Sequence, residues 1–266
     1  MGEAIVITSG KGGVGKTTSS ANLGTALALS GKKVCLVDTD IGLRNLDVVM
    51  GLENRIVFDL VDVVEGRCRL PQALIKDKRF EELYLLPAAQ TSDKSAVTPE
   101  QMIDIIRQLR QDFDYVLIDC PAGIEQGFKN AVAGADKAIV VTTPEVSSMR
   151  DADRIIGLLE KNKEIEPPKL IINRVRSHML KNQEMLDVDE IVRTLSIELI
   201  GIVEDDEEVI KATNKGEPVA LIPNGKASIA YRNIARRLLG ESVPLQSLEQ
   251  EKGTVLTKVK KFFGIR

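Results

Sequence analysis

The chain has 266 residues, a length that suits one large α/β domain or two small ones. Hydrophobic residues make up 43% of it and aromatic residues only 3%, which allows a sizeable but aliphatic core. The net charge of −3 gives no general attraction to nucleic acid, and three distant cysteines with one histidine exclude the spacing of zinc or iron–sulfur sites.

A glycine-rich loop lies between a predicted strand at 4–8 and a predicted helix at 18–29. Residues 10–17 fit the pattern G-x-x-x-x-G-K-T, and strand, loop and helix in this order predict a phosphate-binding loop. Its backbone N–H groups and the helix N-terminus would surround a phosphate chain. Lys16 would reach the β- and γ-phosphates, and the Thr17 hydroxyl would ligate Mg²⁺. The loop residues expected to bind the nucleotide are Gly10, Lys11, Gly12, Gly13, Val14, Gly15, Lys16, Thr17 and Thr18.

Apolar runs alternate with helical patterns along the rest of the chain. Strands are predicted at 34–37, 83–86, 115–118, 138–141, 170–172 and 199–203, and helices at 99–111, 147–163, 206–215 and 229–239. Continuously apolar runs are typical of strands buried on both faces. The alternation predicts an α/β fold, a mainly parallel twisted sheet with helices on both faces. Ligands bind such sheets at the carboxyl ends of the strands.

Three aspartates follow two of these strands. Asp119 is placed like the acidic residue that holds the Mg²⁺ shell in phosphoryl-transfer sites. Asp38 would lie near the same ion, and Asp40 could orient the attacking water. We therefore expect Thr17, Asp38 and Asp119 at the metal and Asp40 in catalysis. The alternatives are an ordinary acidic residue at a strand end and a cap for the following segment.

The last residues differ from the body of the chain. Residues 240–253 are predicted to be a linker, and 254–266 an amphipathic helix whose apolar side chains share an arc of about 120° flanked by Lys258 and Lys260. The apolar residues of that arc are Val255, Leu256, Val259, Phe262 and Phe263. A basic amphipathic helix of this kind is typical of an interfacial membrane anchor. A helix docked on its own domain or in a partner's groove is the alternative.

Four motifs together resemble the deviant Walker A (ParA/MinD) family of P-loop ATPases. Lys11 adds a second lysine to the loop, so that it is written K-G-G-x-G-K-T-T. D-x-D follows at 38–40, D-x-P-A-G at 119–123 and T-x-P-E-V-S-S-x-R-D-A-D at 142–153. The resemblance covers residues 1–239, an ATPase domain. The last motif and the basic tail favour the septum-site-determining branch of the family.

The resemblance implies roles for individual residues. Lys11 would act across a dimer on the partner subunit's nucleotide, so it joins Lys16 and Asp40 as catalytic. Asp38, Asp40, Asp119 and Gly123 would be the switch residues that respond to the γ-phosphate. Asn173 would contact the adenine, whose edge suits an amide with both donor and acceptor, although a turn-forming Asn is an alternative. Arg174, the next residue, is expected to be a further nucleotide-binding residue. Glu145 would touch the partner's ribose.

The resemblance also implies a function. ATP and Mg²⁺ would drive formation of a homodimer that binds anionic lipids and recruits a division inhibitor of the MinC type. A MinE-type stimulator or a polar recruiting protein would set its position. With no signal peptide and no apolar run of about 18 residues, we expect a cytoplasmic protein that associates peripherally with the inner face of the cell membrane.

Four other functions are weighed against this one. A ParA-type partition ATPase should have a basic body, and an iron–sulfur carrier of the same fold should have paired cysteines. A flagellar-number regulator of the FlhG type typically has an added N-terminal segment, whereas only Met1 and Gly2 precede the first strand here. A nucleotide-sensing scaffold without turnover should lack Lys16 or Asp40.

Overall fold

A computed structural model describes residues 1–93 and 95–245. Residue 94 and residues 246–266 lie outside the described part. The predicted anchor, from Val255 to Phe263, and most of the predicted linker therefore lie outside it as well. Among the described residues, no helix is both long enough and apolar enough to cross a membrane.

One eight-stranded sheet forms the centre of the described chain, in the order β3-β4-β2-β5-β1-β6-β7-β8. Its strands are β1 Glu3–Thr8, β2 Val34–Asp38, β3 Ile75–Lys76, β4 Leu83–Leu86, β5 Tyr115–Asp119, β6 Lys137–Thr142, β7 Lys169–Val175 and β8 Glu198–Glu204. All neighbouring pairs are parallel except β3 with β4. Because β1 lies between β5 and β6, the loop that follows it opens at the middle of the sheet.

Helices cover both faces of this sheet. They are α1 Lys16–Leu29, α2 Leu46–Met50, α3 Leu60–Val64, α4 Leu70–Ala73, α5 Pro99–Asp112, α6 Gln126–Ala133, α7 Val146–Leu159, α8 Ser177–Lys181, α9 Val188–Leu195, α10 Glu207–Thr213 and α11 Lys226–Leu238. Successive residues of β1 point to opposite faces, so Val6 enters the core beneath α5, α6 and α7 while Ile5 enters the core beneath α1 and α11. The predicted α/β fold with a covered, mainly parallel sheet is confirmed.

Some predicted boundaries are wrong, and each has a local cause. Helix α1 begins at Lys16 because Gly15, with φ of 97°, is its N-cap. Helix α7 ends at Leu159, four residues before the predicted end, and the chain then turns at Asn162, whose N–H donates to the Leu159 carbonyl. The prediction missed β3 and six short helices, α2, α3, α4, α6, α8 and α9, in which few positions are available to show a helical period.

Arg79 joins three separate parts of the fold on the α1 side of the sheet. Its guanidinium pairs with the Asp77 carboxylate, which is 2% exposed, and donates to the carbonyls of Met50 and Gly216. These carbonyls belong to the end of α2 and to the turn after α10. One side chain therefore neutralises a buried acid and ties two distant loops together.

We expect Arg79→Ala to lower the free energy of unfolding by about 3–5 kcal/mol, because it leaves the buried Asp77 carboxylate without its cation. Arg107→Ala is the matched control, since its pair with Asp104 is exposed on both sides and should contribute about 0–1 kcal/mol. Urea unfolding followed by circular dichroism measures both. Equal losses in the two variants would contradict the role given to Arg79.

Candidate functional site

The glycine-rich loop between β1 and α1 is held in shape from several sides. The Ser9 hydroxyl donates to the Lys11 carbonyl at 2.7 Å. A side-chain carbon at Gly10 would lie 2.2 Å from the Asp151 carbonyl of α7, and one at Gly15 would lie 2.3 Å from the Asn173 amide nitrogen. Glycine is therefore required at these two positions by packing, and Gly15 also needs it for its positive φ.

The loop leads directly into the first turn of α1. Lys16, only 7% exposed, begins the helix. Burial raises the pKa of Asp119, and the positive charge of Lys16 offsets part of that rise. The first turn carries no acidic residue, so the partial positive charge of the helix N-terminus is not offset there. Backbone N–H groups, the helix end and Lys16 together make this loop suited to a phosphate chain.

Asp119 ends β5 directly beside α1 and is almost fully buried. Its two carboxylate oxygens each accept a hydrogen bond of 2.7 Å, one from the Thr17 hydroxyl and one from the Ser20 hydroxyl. Ser20 was not among the predicted site residues. Its position one helical turn after Lys16, on the same face as Thr17, is the signal that could have found it.

Asp38 lies next to Asp119, because β2 and β5 pair in parallel with these two residues in register. Its carboxylate accepts hydrogen bonds from the N–H groups of Asp40, at 2.9 Å, and Leu46, at 3.1 Å. Burial raises the pKa of both carboxyl groups, and the charge of Asp119 raises that of Asp38 further. The two acids thus form a costly buried pair at the carboxyl edge of the sheet.

Asp40 lies on the loop after β2 and is partly exposed. Its carbonyl accepts the N–H groups of Leu43 and Arg44, which turns the chain toward α2. The neighbouring Thr39 donates its N–H and its hydroxyl to the Asp119 carbonyl. The loops that follow β2 and β5 are therefore joined at the point where the predicted metal residues meet.

Lys11 lies on the rim of the loop rather than inside it. Its ammonium group is 3.0 Å from the Glu145 carboxylate and 3.0 Å from the Ser147 hydroxyl. Both partners are exposed and belong to the start of α7. Two residues predicted to act on a partner subunit, Lys11 and Glu145, are thus paired with each other in the single chain. Ser147 was not predicted to take part.

The remaining predicted residues lie around the same loop. Asn173 is buried near the end of β7, and its amide donates to the Val14 carbonyl at 2.8 Å. Arg174 is exposed with a positive φ of 56°, and Gly123, in the loop after β5, has φ of 94°. The structure thus brings the described residues of the predicted site to one edge of the sheet. Their individual roles stay predictions.

The comparisons with known proteins identify the family. A family model described as the CobQ/CobB/MinD/ParA nucleotide binding domain matches residues 5–219. The septum site-determining protein MinD of Bacillus subtilis is 72% identical over the full length of both chains. This chain belongs to the MinD family. The predicted resemblance to the ParA/MinD family is therefore confirmed.

Solved structures of the MinD family share this fold. The MinC:MinD cell division protein complex of Aquifex aeolicus matches at 51% identity, with 92% of this chain and 99% of that chain covered and a TM-score of 0.86. The septum site-determining protein MinD of Pyrococcus horikoshii, complexed with Mg-ADP, is 30% identical, with 90% and 96% covered and a TM-score of 0.81. The predicted P-loop fold is confirmed by these likenesses.

We expect Asp119→Asn to raise the melting temperature of the nucleotide-free protein at neutral and alkaline pH. Burial raises the pKa of Asp119 in the folded state, so the folded state binds more protons than the unfolded state. The stability of the wild type therefore falls as the pH rises from the pKa of Asp119 in the unfolded chain to its pKa in the folded chain. The amide avoids this loss, and each 1 kcal/mol gained is worth about 2–4 °C in a protein of this size.

The measurement is a series of thermal unfolding curves from about pH 8 down to about pH 4, where the advantage of the variant should disappear. Asp104→Asn, a change at an exposed acid of α5, is the control and should show no such trend. A variant that melts below wild type at about pH 8 would contradict the burial cost assigned to Asp119.

Proposed function

We propose that this chain is a Mg²⁺-dependent ATPase that dimerises on ATP and regulates where the division septum forms. Membership of the MinD family and the 72% identity to a septum site-determining protein support this function. The observation that carries the dimer is the placement of Lys11. Its ammonium lies on the rim of the phosphate-binding loop, bound by the exposed side chains of Glu145 and Ser147, which a second subunit can replace.

The residues present fit a magnesium nucleotide. Lys16 and the loop N–H groups from Gly10 to Thr18 would hold the phosphates. Thr17, Asp38 and Asp119 bring a hydroxyl and two carboxylates together, oxygen donors of the kind that Mg²⁺ takes. The bound ion would neutralise charge on the phosphates.

Asp40 is the residue that would position the attacking water. Positioning and charge neutralisation dominate phosphoryl transfer, so a single carboxylate on the loop after β2 is sufficient for this task. Asn173 would bind the adenine, and Arg174 would contact the nucleotide. Because the Asn173 amide already contacts the loop carbonyl at Val14, adenine binding and loop shape would depend on each other.

In the proposed dimer, Lys11 leaves Glu145 and Ser147 and reaches the partner's phosphates. Glu145 is then released toward the partner's ribose. An exposed ion pair of this kind contributes only about 0–1 kcal/mol, so breaking it is a small cost against contact with a nucleotide polyphosphate. Gly123, in the loop after β5, would sense the γ-phosphate together with Asp38, Asp40 and Asp119.

The dimer would recruit a division inhibitor of the MinC type. The support is the Aquifex aeolicus MinC:MinD complex, whose MinD chain is 51% identical to this one. A MinE-type stimulator or a polar recruiting protein would set the place of recruitment.

Residues 254–266 would be the membrane anchor, joined by the linker 240–253 to the ATPase domain 1–239. One short basic amphipathic helix binds anionic lipid weakly and reversibly, as a single lipid chain does. Two such helices on one dimer act at high effective concentration, which can raise the affinity by about 10²–10⁴-fold. ATP would thereby control membrane attachment without touching the anchor.

Lys11→Ala tests the dimer. The variant should bind ATP as a monomer, since Lys16 still holds the phosphates of its own subunit, but ATP should no longer double its mass in light scattering. Lys16→Ala should instead lose most of its ATP affinity. Lys161→Ala, at an exposed lysine beyond α7, is the control and should dimerise as wild type does. An ATP-dependent dimer of Lys11→Ala would exclude the proposed role of this lysine.

Sedimentation with anionic vesicles tests the anchor. We expect binding that requires ATP, requires anionic lipid and weakens with salt, because the attraction is partly electrostatic. Deletion of 254–266 should abolish it while sparing the ATP-dependent dimer, and Phe262→Glu should nearly abolish it by placing a charge in the apolar arc. Equal vesicle binding with ADP and with ATP would show that avidity is not the mechanism.

A further inference from the structure

A groove lies at the carboxyl ends of β7 and β8, between α8, α10 and α11. The groove has a volume of about 1120 Å³, and we call it the edge groove. Its lining includes Arg176, Lys181, Glu204, Ile210, Lys226 and Ile229. This volume exceeds the range of about 300–1,000 Å³ that is usual for small-molecule pockets, which favours an extended peptide as the occupant.

The described chain leads into this groove, and Arg237 of α11 directs it there. The guanidinium of Arg237 donates to the Ile200 carbonyl of β8 at 2.8 Å. It also donates to the carbonyls of Val243 at 2.9 Å and Pro244 at 2.6 Å. One side chain therefore holds the outgoing chain against β8, near the amino end of that strand.

The next residue shows the direction of the chain. Leu245 lines a small cavity together with Ile202 of β8 and Ala230 of α11. Ile202 lies two residues beyond Ile200 along β8, and Ala230 lies two turns before Arg237 along α11. The chain thus runs parallel to β8, toward Glu204 and the edge groove, when the described part ends at Leu245.

We propose that residues 246–251 of this chain dock in the edge groove, parallel to β8. An extended chain advances about 3.3–3.6 Å per residue, so the six residues can reach about 20 Å beyond Leu245, which itself lines the groove together with the loops after β7 and β8. Leu248 would meet Ile210, which is 63% exposed, and the half-buried Ile229. The segment would make apolar contacts through Leu248 near its centre and charged contacts through its glutamates at its end.

Charge favours the same occupant. The groove is lined by four lysine or arginine side chains and three carboxylates. Three of these bases are paired with acids, Arg176 with Asp205, Lys226 with Glu204 and Arg236 with Glu241, so the charge open to an acidic segment is that of Lys181. Residues 246–251 contain two glutamates, Glu249 and Glu251, and no base. The glutamates would lie at the far end, where Lys181 is exposed. The basic anchor residues that follow are less suited to this groove.

Docking would shorten the tether between the domain and the anchor. Only residues 252 and 253 would remain between the docked segment and the helix at 254–266. Arg176 in the groove wall lies two residues after Arg174, a proposed nucleotide-binding residue, so nucleotide binding would alter the contacts of the segment with Arg176. This consequence rests on the proposed function, whereas the docking itself does not.

Hydrogen exchange tests the docking without nucleotide or lipid. Three forms are compared: the full chain, a form that ends at residue 253 and a form that ends at residue 245. Exchange in peptides covering 176–181 and 204–211 should be the same in the first two and several-fold faster in the third. If exchange rises already on removal of 254–266, the amphipathic helix is the occupant and the proposal is wrong. If it rises in neither form, no terminal segment occupies the groove.

A pair of surface variants provides a second test in the full chain. Ile210→Ser removes an exposed apolar side chain from the groove and should speed cleavage after Glu249 and Glu251 by a glutamate-specific protease several-fold. Val57→Ser changes a residue that is 79% exposed and outside the groove. The protease should cleave this variant at the wild-type rate. Equal cleavage rates in wild type and both variants would overturn the proposal.

Discussion

The parallel pairing of β2 with β5 places two buried carboxylates side by side, and the site is built around that constraint. Like charges in a buried place are costly unless neighbours offset them. Here the neighbours are the hydroxyls of Thr17 and Ser20, the N–H groups after Asp38, and the charge of Lys16. Lys16, Thr17 and Ser20 belong to the start of α1, and the N–H groups belong to the segment after β2. The acids therefore hold the start of α1 and the loops after β2 and β5 in one arrangement.

The rim of the site, unlike its buried interior, is exposed to solvent. Lys11, Glu145 and Ser147 are exposed and joined by a pair that water and salt weaken. The interior can stay fixed while the rim exchanges partners at little cost. A site with this division can keep its nucleotide geometry in one subunit and still respond to the arrival of a second.

Sequence patterns predicted the long buried strands and the loop motif because both are local. Residues 115–118 are apolar throughout, and the loop glycines, Lys16 and Thr17 stand in one frame. Ser20 and the Asn173 contact with Val14 were not predicted, since each depends on a residue about 100 or more positions away. The residues of each contact come together only when distant strands have paired. A single sequence does not show which residues of two distant strands lie side by side. Short helices such as α4, with four residues, give too few positions for a period to appear.

The order of strands in the sheet also affects the making of the protein on the ribosome. Ile5 of β1 pairs with Leu117 of β5 and, on the other side, with Lys137 of β6. Because a ribosome adds about 5–20 residues per second, on the order of ten seconds pass between the synthesis of β1 and that of either neighbouring strand. During that time its apolar residues have no sheet to join. The phosphate-binding loop is synthesised among the first residues of the chain, yet Asp151 and Asn173, which pack against its glycines, are added only after more than half of the protein has been made.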